Sequence, residues 1–134
     1  MNTNKKTIKM EDVKAKISTL WVVVMFNLLS ADILSLYIPG AHEEMAEFAG
    51  EIPIPQLMLG GAIMMAIPIA MIFLSRILKY RTNRWVNIIA VAITIVYVIA
   101  GGSTYPHYIF FATIEIVCMI LIVWYVWKWS NPEA

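Results

Sequence analysis

Charged residues are scarce in this sequence, and residues that bind metals or carry redox chemistry are scarcer. Asp, Glu, Lys and Arg make up only 14% of the 134 residues, against roughly a quarter in an average soluble domain. The one cysteine, Cys118, excludes an internal disulfide, a Cys-x-x-Cys redox centre and a cysteine zinc site. The two histidines, His42 and His107, lie outside the long apolar stretches, which excludes a haem clamped between two histidines inside a membrane.

Catalytic motifs are also missing. The sequence contains no glycine-rich phosphate loop, no His-Glu-x-x-His and no Gly-x-Ser-x-Gly. We therefore predict no cofactor and no metal site, and the sequence gives no basis for assigning an enzyme activity.

Apolar residues are what the sequence has in excess, at 60% of the chain. A soluble protein of this size could not remove so much apolar surface from water, whereas a bilayer accepts it. Four apolar stretches each approach the ~20 residues that a helix needs to cross ~30 Å of hydrocarbon. Helices are expected because lipid offers no hydrogen-bond partner to an open strand edge. The predicted spans are 17–38, 55–78, 85–102 and 108–127.

The basic residues predict the orientation of these spans. All ten Lys and Arg residues lie in 1–16, around the 79–84 turn, or in the tail 128–134. The 39–54 loop and the 103–107 turn contain none, and the loop carries four glutamates instead. The positive-inside rule therefore places both termini and the 79–84 turn in the cytoplasm. We predict an all-α integral membrane four-helix bundle, up-down-up-down, with both termini inside.

Two segments outside the spans have amphipathic character. Before the first span, Met10, Val13 and Ile17 fall on one helical face among lysines. This pattern predicts that 1–16 is a basic amphipathic lead-in helix attracted to anionic lipid. In the external acidic loop 39–54, Met45, Phe48 and Ile52 fall on one helical face. That pattern predicts a short helix at the membrane surface. A solvated acidic loop is the alternative.

The second span carries a pattern of small residues. Gly60 and Gly61 precede Ala62, Ala66 and Ala70, which repeat at a spacing of four. Small residues at that spacing let another helix approach closely, and such contacts help helices associate in lipid. We predict that these five residues pack against a helix. Ordinary membrane-protein composition is the alternative explanation.

Polar residues stranded inside the spans are the candidate site. Asp32 and Glu115 lie within apolar stretches that contain no Lys or Arg at the same depth. Counting ~1.5 Å per residue from the predicted external ends places Glu115, Thr94 and Asn27 in one layer. Asp32 and Tyr97 form a second layer nearer the outside. We predict that these five side chains face inward, although Asn27 and Asp32 lie roughly 140° apart around their helix.

Two hypotheses explain the buried acids. Burial without a counterion favours the neutral form of a carboxyl group. The first hypothesis is a binding site for a proton, a cation or a small lipophilic ligand. The second is a neutral hydrogen-bonding network that holds the helices together, with no ligand.

Several short motifs in order resemble a bacterial family of small four-span membrane proteins of unknown function, domain of unknown function 6326. The resemblance covers nearly the whole chain and implies the four-helix fold in a bacterial inner membrane. It includes Asp32 and Glu115 but implies no activity. The motifs are LW at 20–21, LYIPG at 36–40, MIFLS at 71–75, NRWVNI at 83–88, IE at 114–115 and WYVWKW at 124–129.

Three classes of function remain open. The first is a small binding or transport-like protein that uses the acid cluster. The second is an accessory subunit that contacts a membrane-protein partner, or a second copy, through the small residues of the second span. The third is a lipid enzyme, for which only His107 with Tyr105 and Tyr108 is available near a headgroup. The lipid bilayer is the expected partner. Nucleic acid is not expected, because the orientation rule already accounts for the basic residues.

Overall fold

The computed structural model describes residues 3–129, with side chains from residue 9 onward. Within this range the regular elements are all helices, and four of them are long and apolar enough to cross a membrane. The prediction of an all-α protein with four spans is confirmed. The sides of the membrane on which the termini lie remain a prediction. The helices are α1 (Thr3–Ser35), α2 (Ala41–Ala49), α3 (Ile54–Ile77), α4 (Tyr80–Ala100) and α5 (Pro106–Lys128).

Helix α1 is longer than the predicted first span. The lead-in 1–16, where it is described, continues into 17–35 as one helix without a break. Exposed ion pairs at helical spacing support these polar turns, including one of 2.9 Å between Lys16 Nζ and Asp12 Oδ2. The helix ends at Ser35 rather than at residue 38, and tighter turns follow, in which Tyr37 N–H donates to Leu34 O and Ile38 N–H donates to Ser35 O. Pro39 then disfavours helical backbone at Ile38.

The other boundaries shift by one to five residues, and the largest change lengthens α4 at its start. Most of the predicted 79–84 turn is the first turn of α4, which begins at Tyr80. Helix α5 includes Pro106, because proline is tolerated in a first helical turn. The predicted tail 128–134 lies mostly outside the described residues.

The predicted external loop contains the short helix α2, so the helical interpretation of 39–54 is confirmed over Ala41–Ala49. Glycines bound this helix at both ends. Gly40 and Gly50 have φ angles of +85° and +58°, which glycine adopts without the steric cost that other residues pay. Helix α2 thus lies across one end of the molecule, between α1 and α3. We call this the α2 end, and the opposite end, where α3 turns into α4, the turn end.

The four long helices pack in a ring, in the order α1, α3, α4, α5 and back to α1. Each span packs against the span that comes before or after it along the chain. The first and last spans, α1 and α5, also pack against each other and close the ring. The most completely buried apolar side chains lie toward the turn end, where α1 meets α5. They include Ile17, Trp21, Val24, Met119 and Ile122.

A buried hydrogen-bond network joins three helices in the turn-end half. Trp21 Nε1 of α1 donates to Asn87 Oδ1 of α4 at 2.7 Å. Ser75 Oγ of α3 donates to the same oxygen at 3.3 Å. Asn83 Nδ2 of α4 donates to the Ser75 carbonyl oxygen at 2.8 Å. Because these groups have partners, the network fixes the helices without leaving a polar group open to a ligand.

Helix α3 is the least enclosed member of the ring. Only 11% of its most apolar 18-residue stretch is buried, against 28–33% of the corresponding stretches in the other three spans. The small residues Ala62, Ala66 and Ala70 of this helix are exposed. Whether they pack against another protein remains a prediction.

Candidate functional site

A cavity of about 670 Å³ occupies the α2-end half of the helix ring. Its wall is mostly apolar, and each of the five helices contributes to it. Gly60 and Gly61 of α3 line the cavity and have no side chains to fill it. A side-chain carbon at Gly60 would meet nothing within 4 Å. The polar residues that line the cavity are Asp32, Gln56, Tyr97, Tyr108 and Glu115.

Two carboxyl groups reach this cavity from α1 and α5, the adjacent helices that close the ring. Glu115 lies near the middle of α5, nine residues or about 14 Å from its first residue, and is only 2% exposed. Asp32 lies in the last turns of α1, lines the same cavity and is exposed. Within residues 9–129, neither carboxyl has a side-chain hydrogen bond or an ion pair.

Two tyrosines complete the polar part of the wall. The Tyr108 hydroxyl donates to the carbonyl oxygen of Val98 at 2.6 Å, which is one of the last carbonyls of α4 and has no partner within the helix. The Tyr97 hydroxyl lies 3.9 Å from the position of a side-chain carbon at Gly61. The aromatic rings therefore extend across the cavity between α3, α4 and α5.

Side-chain contacts at the α2 end hold helix α2 in place over the cavity. The Tyr105 hydroxyl donates to Glu44 Oε1 of α2 at 2.9 Å, and this hydrogen bond raises the pKa of Tyr105. Ser35 Oγ of α1 lies 3.0 Å from His107 Nε2 of α5. These contacts tie α2 and α1 to the start of α5. Phe48 of α2 then lies over the cavity as part of its lining.

The chain matches one known protein family. A family model described as a family of unknown function, DUF6326, matches residues 6–134. The chain belongs to that family. No curated protein and no solved structure matches it. The resemblance found in the sequence is therefore confirmed, and the fold described above gives this DUF6326 chain four membrane-span-like helices.

Three of the five predicted polar residues of this DUF6326 chain line the cavity together: Asp32, Tyr97 and Glu115. The other two do not line it. The Asn27 amide donates to the Val23 carbonyl oxygen of its own helix at 2.7 Å. Thr94 is buried, and its hydroxyl has no partner among the described residues.

The sequence analysis did not include Tyr108 or Gln56 in the site. A signal for Tyr108 was available, because it lies seven residues before Glu115 and hence two turns away on the same face of α5. No comparable signal marked Gln56. Its place in the cavity depends on how α3 is set against α2, which is a long-range feature of the fold.

Proposed function

We propose that the cavity binds a small lipophilic cation from the membrane. The apolar body of the ligand would lie against the cavity wall, and its positive group would lie near Asp32 and Glu115. The observation that carries the proposal is the pairing of two carboxyls, without a counterion among the described residues, with a largely apolar cavity.

Charge supports a cation as the occupant. A charged side chain in the hydrocarbon region costs about 2.5–3.5 kcal/mol on insertion scales. A cation between the carboxyls would offset that cost, and so would a proton on either group. Ligand and proton therefore compete, and we expect binding of the cation to weaken as the pH falls.

Size and wall chemistry support an organic ligand rather than a proton alone or a bare metal ion. A cavity of about 670 Å³ falls within the roughly 300–1,000 Å³ of small-molecule sites. Among the residues that the structure describes, no group of three metal-ligating side chains comes together. The faces of Tyr97 and Tyr108 add aromatic surface, which attracts organic cations.

We propose that the ligand reaches the cavity between α3 and α4. Met58 and Ile63 of α3 and Ala100 of α4 line the cavity and have exposed surface. That surface faces lipid in our proposal, so the ligand enters sideways from the bilayer. We further place the protein in the cell membrane of a bacterium with both termini in the cytoplasm. The cavity then opens into the outer leaflet.

Binding of the probe tetraphenylphosphonium to the purified protein in lipid nanodiscs tests this function. Triphenylphosphine oxide serves as the uncharged comparison. We expect the cation to bind more tightly than the neutral probe, and Glu115→Gln to weaken cation binding about tenfold, the scale of one lost charged contact. Glu47→Gln removes an exposed acid outside the cavity and should change nothing. Equal binding of the cation to wild type and Glu115→Gln would contradict the proposal.

An accessory role is the alternative, and one observation favours it. Ala62, Ala66 and Ala70 form an exposed row of small residues along α3, where another membrane helix or a second copy could pack. Under this alternative the carboxyls stabilise helix packing. Ala66→Leu would then abolish co-purification of a partner, whereas Glu115→Gln would leave cation binding unaffected.

A further inference from the structure

A second concave site lies at the turn end, away from the carboxyl cavity. It has a volume of about 410 Å³ and lies between the first turns of α4 and the last turn of α5. Two arginines and three aromatic residues form it: Tyr80, Arg81, Arg84, Trp85 and Trp127. No acidic side chain is among these residues, so the site is cationic with aromatic walls.

Arg84 is held in place before any ligand arrives. Its guanidinium lies over the Trp127 ring, 4.6 Å from the centroid, and one of its nitrogens donates to the Tyr80 hydroxyl at 3.1 Å. Tyr80 in turn donates to the Trp129 carbonyl oxygen at 2.8 Å. A guanidinium has five N–H donors, so most of the Arg84 donors remain available. A side chain already fixed loses less entropy when it binds.

Arg81 supplies a second positive group. It lies three residues before Arg84, hence on the same side of α4, and it is exposed. The acids of the described part of this end, Glu11 and Asp12, lie on α1 and pair with lysines of their own helix. They do not neutralise the arginines. The start of α4 also lacks a side-chain cap, which leaves amide N–H groups beside the arginines for an anion.

We propose that this site binds the phosphate group of an anionic membrane lipid. Guanidinium groups recognise phosphate through paired N–H donors. The exposed rings of Trp85 and Trp127 mark the level at which tryptophans meet lipid headgroups. A phosphate bound to the arginines would therefore have its acyl chains beside these rings. A free phosphate shares the headgroup chemistry but gains nothing from the aromatic walls. The inference does not depend on the function proposed for the carboxyl cavity.

Quenching of tryptophan fluorescence by brominated lipids tests the site in the full-length protein. The protein is placed in phosphatidylcholine vesicles that contain brominated phosphatidylglycerol, and in matched vesicles that contain brominated phosphatidylcholine. Salt at about 1 M shortens the screening length to ~3 Å, which suppresses diffuse attraction. We expect stronger quenching by phosphatidylglycerol in the wild type. Arg81→Gln should lower the relative affinity for that lipid about tenfold, the effect of one lost charge-assisted contact.

Matched variants separate the site from the general charge of this end. Lys79→Gln removes an exposed positive charge from the same turn but not from the site, and should retain the preference for phosphatidylglycerol. Arg84→Lys keeps the charge but loses the paired donors, and should bind more weakly than the wild type. An equal loss in Lys79→Gln and Arg81→Gln would overturn the proposal, as would an absent preference in the wild type.

Inorganic phosphate distinguishes the two sources of the anion. In large excess it should leave the quenching by phosphatidylglycerol nearly unchanged, because the lipid also contacts the tryptophan rings. Complete displacement by inorganic phosphate would overturn the lipid assignment and indicate a site for free phosphate.

Discussion

Replacing Asn87 with alanine removes the centre of the network that joins α1, α3 and α4. The Asn87 side chain accepts from Trp21 Nε1 and Ser75 Oγ, and donates to the carbonyl and side-chain oxygens of Asn83. Hydrogen bonds between membrane helices contribute only about 0.6 kcal/mol each on average. Two of these contacts, those from Trp21 and Ser75, join different helices and give a loss of about 1.2 kcal/mol, to which the lost packing of a fully buried side chain adds.

The assay is the free energy of unfolding in mixed micelles, measured by far-ultraviolet circular dichroism as the fraction of denaturing detergent rises. Asn27→Ala is the matched control, because the Asn27 amide contacts only a carbonyl of its own helix. We expect the control to cost less than about 0.6 kcal/mol, the average for a single contact. Equal destabilisation by the two substitutions would refute the reasoning.

A double-mutant cycle makes the test specific to the contact between α1 and α4. Trp21→Phe alone should cost about 0.6–1.7 kcal/mol, the range of single interhelical hydrogen bonds. In the Asn87→Ala background the same change should cost less, because its acceptor is already gone. Additive effects would show that the two residues are not coupled.

Three further predictions concern the cavity, the α2 end and the topology. Gly60→Leu should narrow the cavity and weaken binding of tetraphenylphosphonium with little loss of stability, because the first carbon of a side chain there meets open space; unchanged binding would place the site elsewhere. Glu44→Gln should bring the raised pKa of Tyr105 back toward 10.0, because the hydrogen bond from the phenol to Glu44 is its main cause. The raised pKa means that this contact stabilises the folded state below pH 10.0 and is lost as the pH rises through the Tyr105 pKa. Carbon-13 NMR of labelled tyrosine follows both effects, and identical titration in the variant would contradict them. In a background without the native cysteine, His42→Cys should react with a membrane-impermeant maleimide in intact cells and Arg81→Cys only after lysis; the reverse pattern would invert the topology.

The spans were predictable from the sequence because insertion into lipid depends on the length and hydropathy of each segment, which are local properties. A helical lead-in was predicted from the sequence, but its continuation without a break into the first span was not. Hydropathy marks where a helix leaves the hydrocarbon region but not where it ends. Those turns are helical in polar surroundings and are supported by contacts such as that between Lys16 and Asp12.

The depth of the site residues along their helices was predictable from the sequence. The direction in which each side chain points around its helix was not. Counting residues from the helix ends placed Asp32, Tyr97 and Glu115 in the correct half, and they line one cavity. The same count also grouped Asn27 and Thr94 with them, although neither lines it. Rotation of each helix about its axis depends on packing against all its neighbours. A sequence read one helix at a time does not contain that information.

The glycines of α3 show a different ambiguity. Small residues predict a close approach of another helix, yet they can equally leave a space. Gly60 and Gly61 line the cavity, whereas Ala62, Ala66 and Ala70 do not line it and are exposed. One pattern in the sequence thus covers two environments, and only the packed structure separates them.

Photoaffinity labelling with a lipophilic ammonium that carries an aryl azide tests the central claim most directly. Mass spectrometry of the labelled protein should find the adduct on cavity residues such as Met64 and Tyr97, and excess tetraphenylphosphonium should prevent it. The label should disappear when Asp32→Asn and Glu115→Gln are combined. Labels spread over the lipid-facing surface, unaffected by competitor or by the two substitutions, would contradict the account.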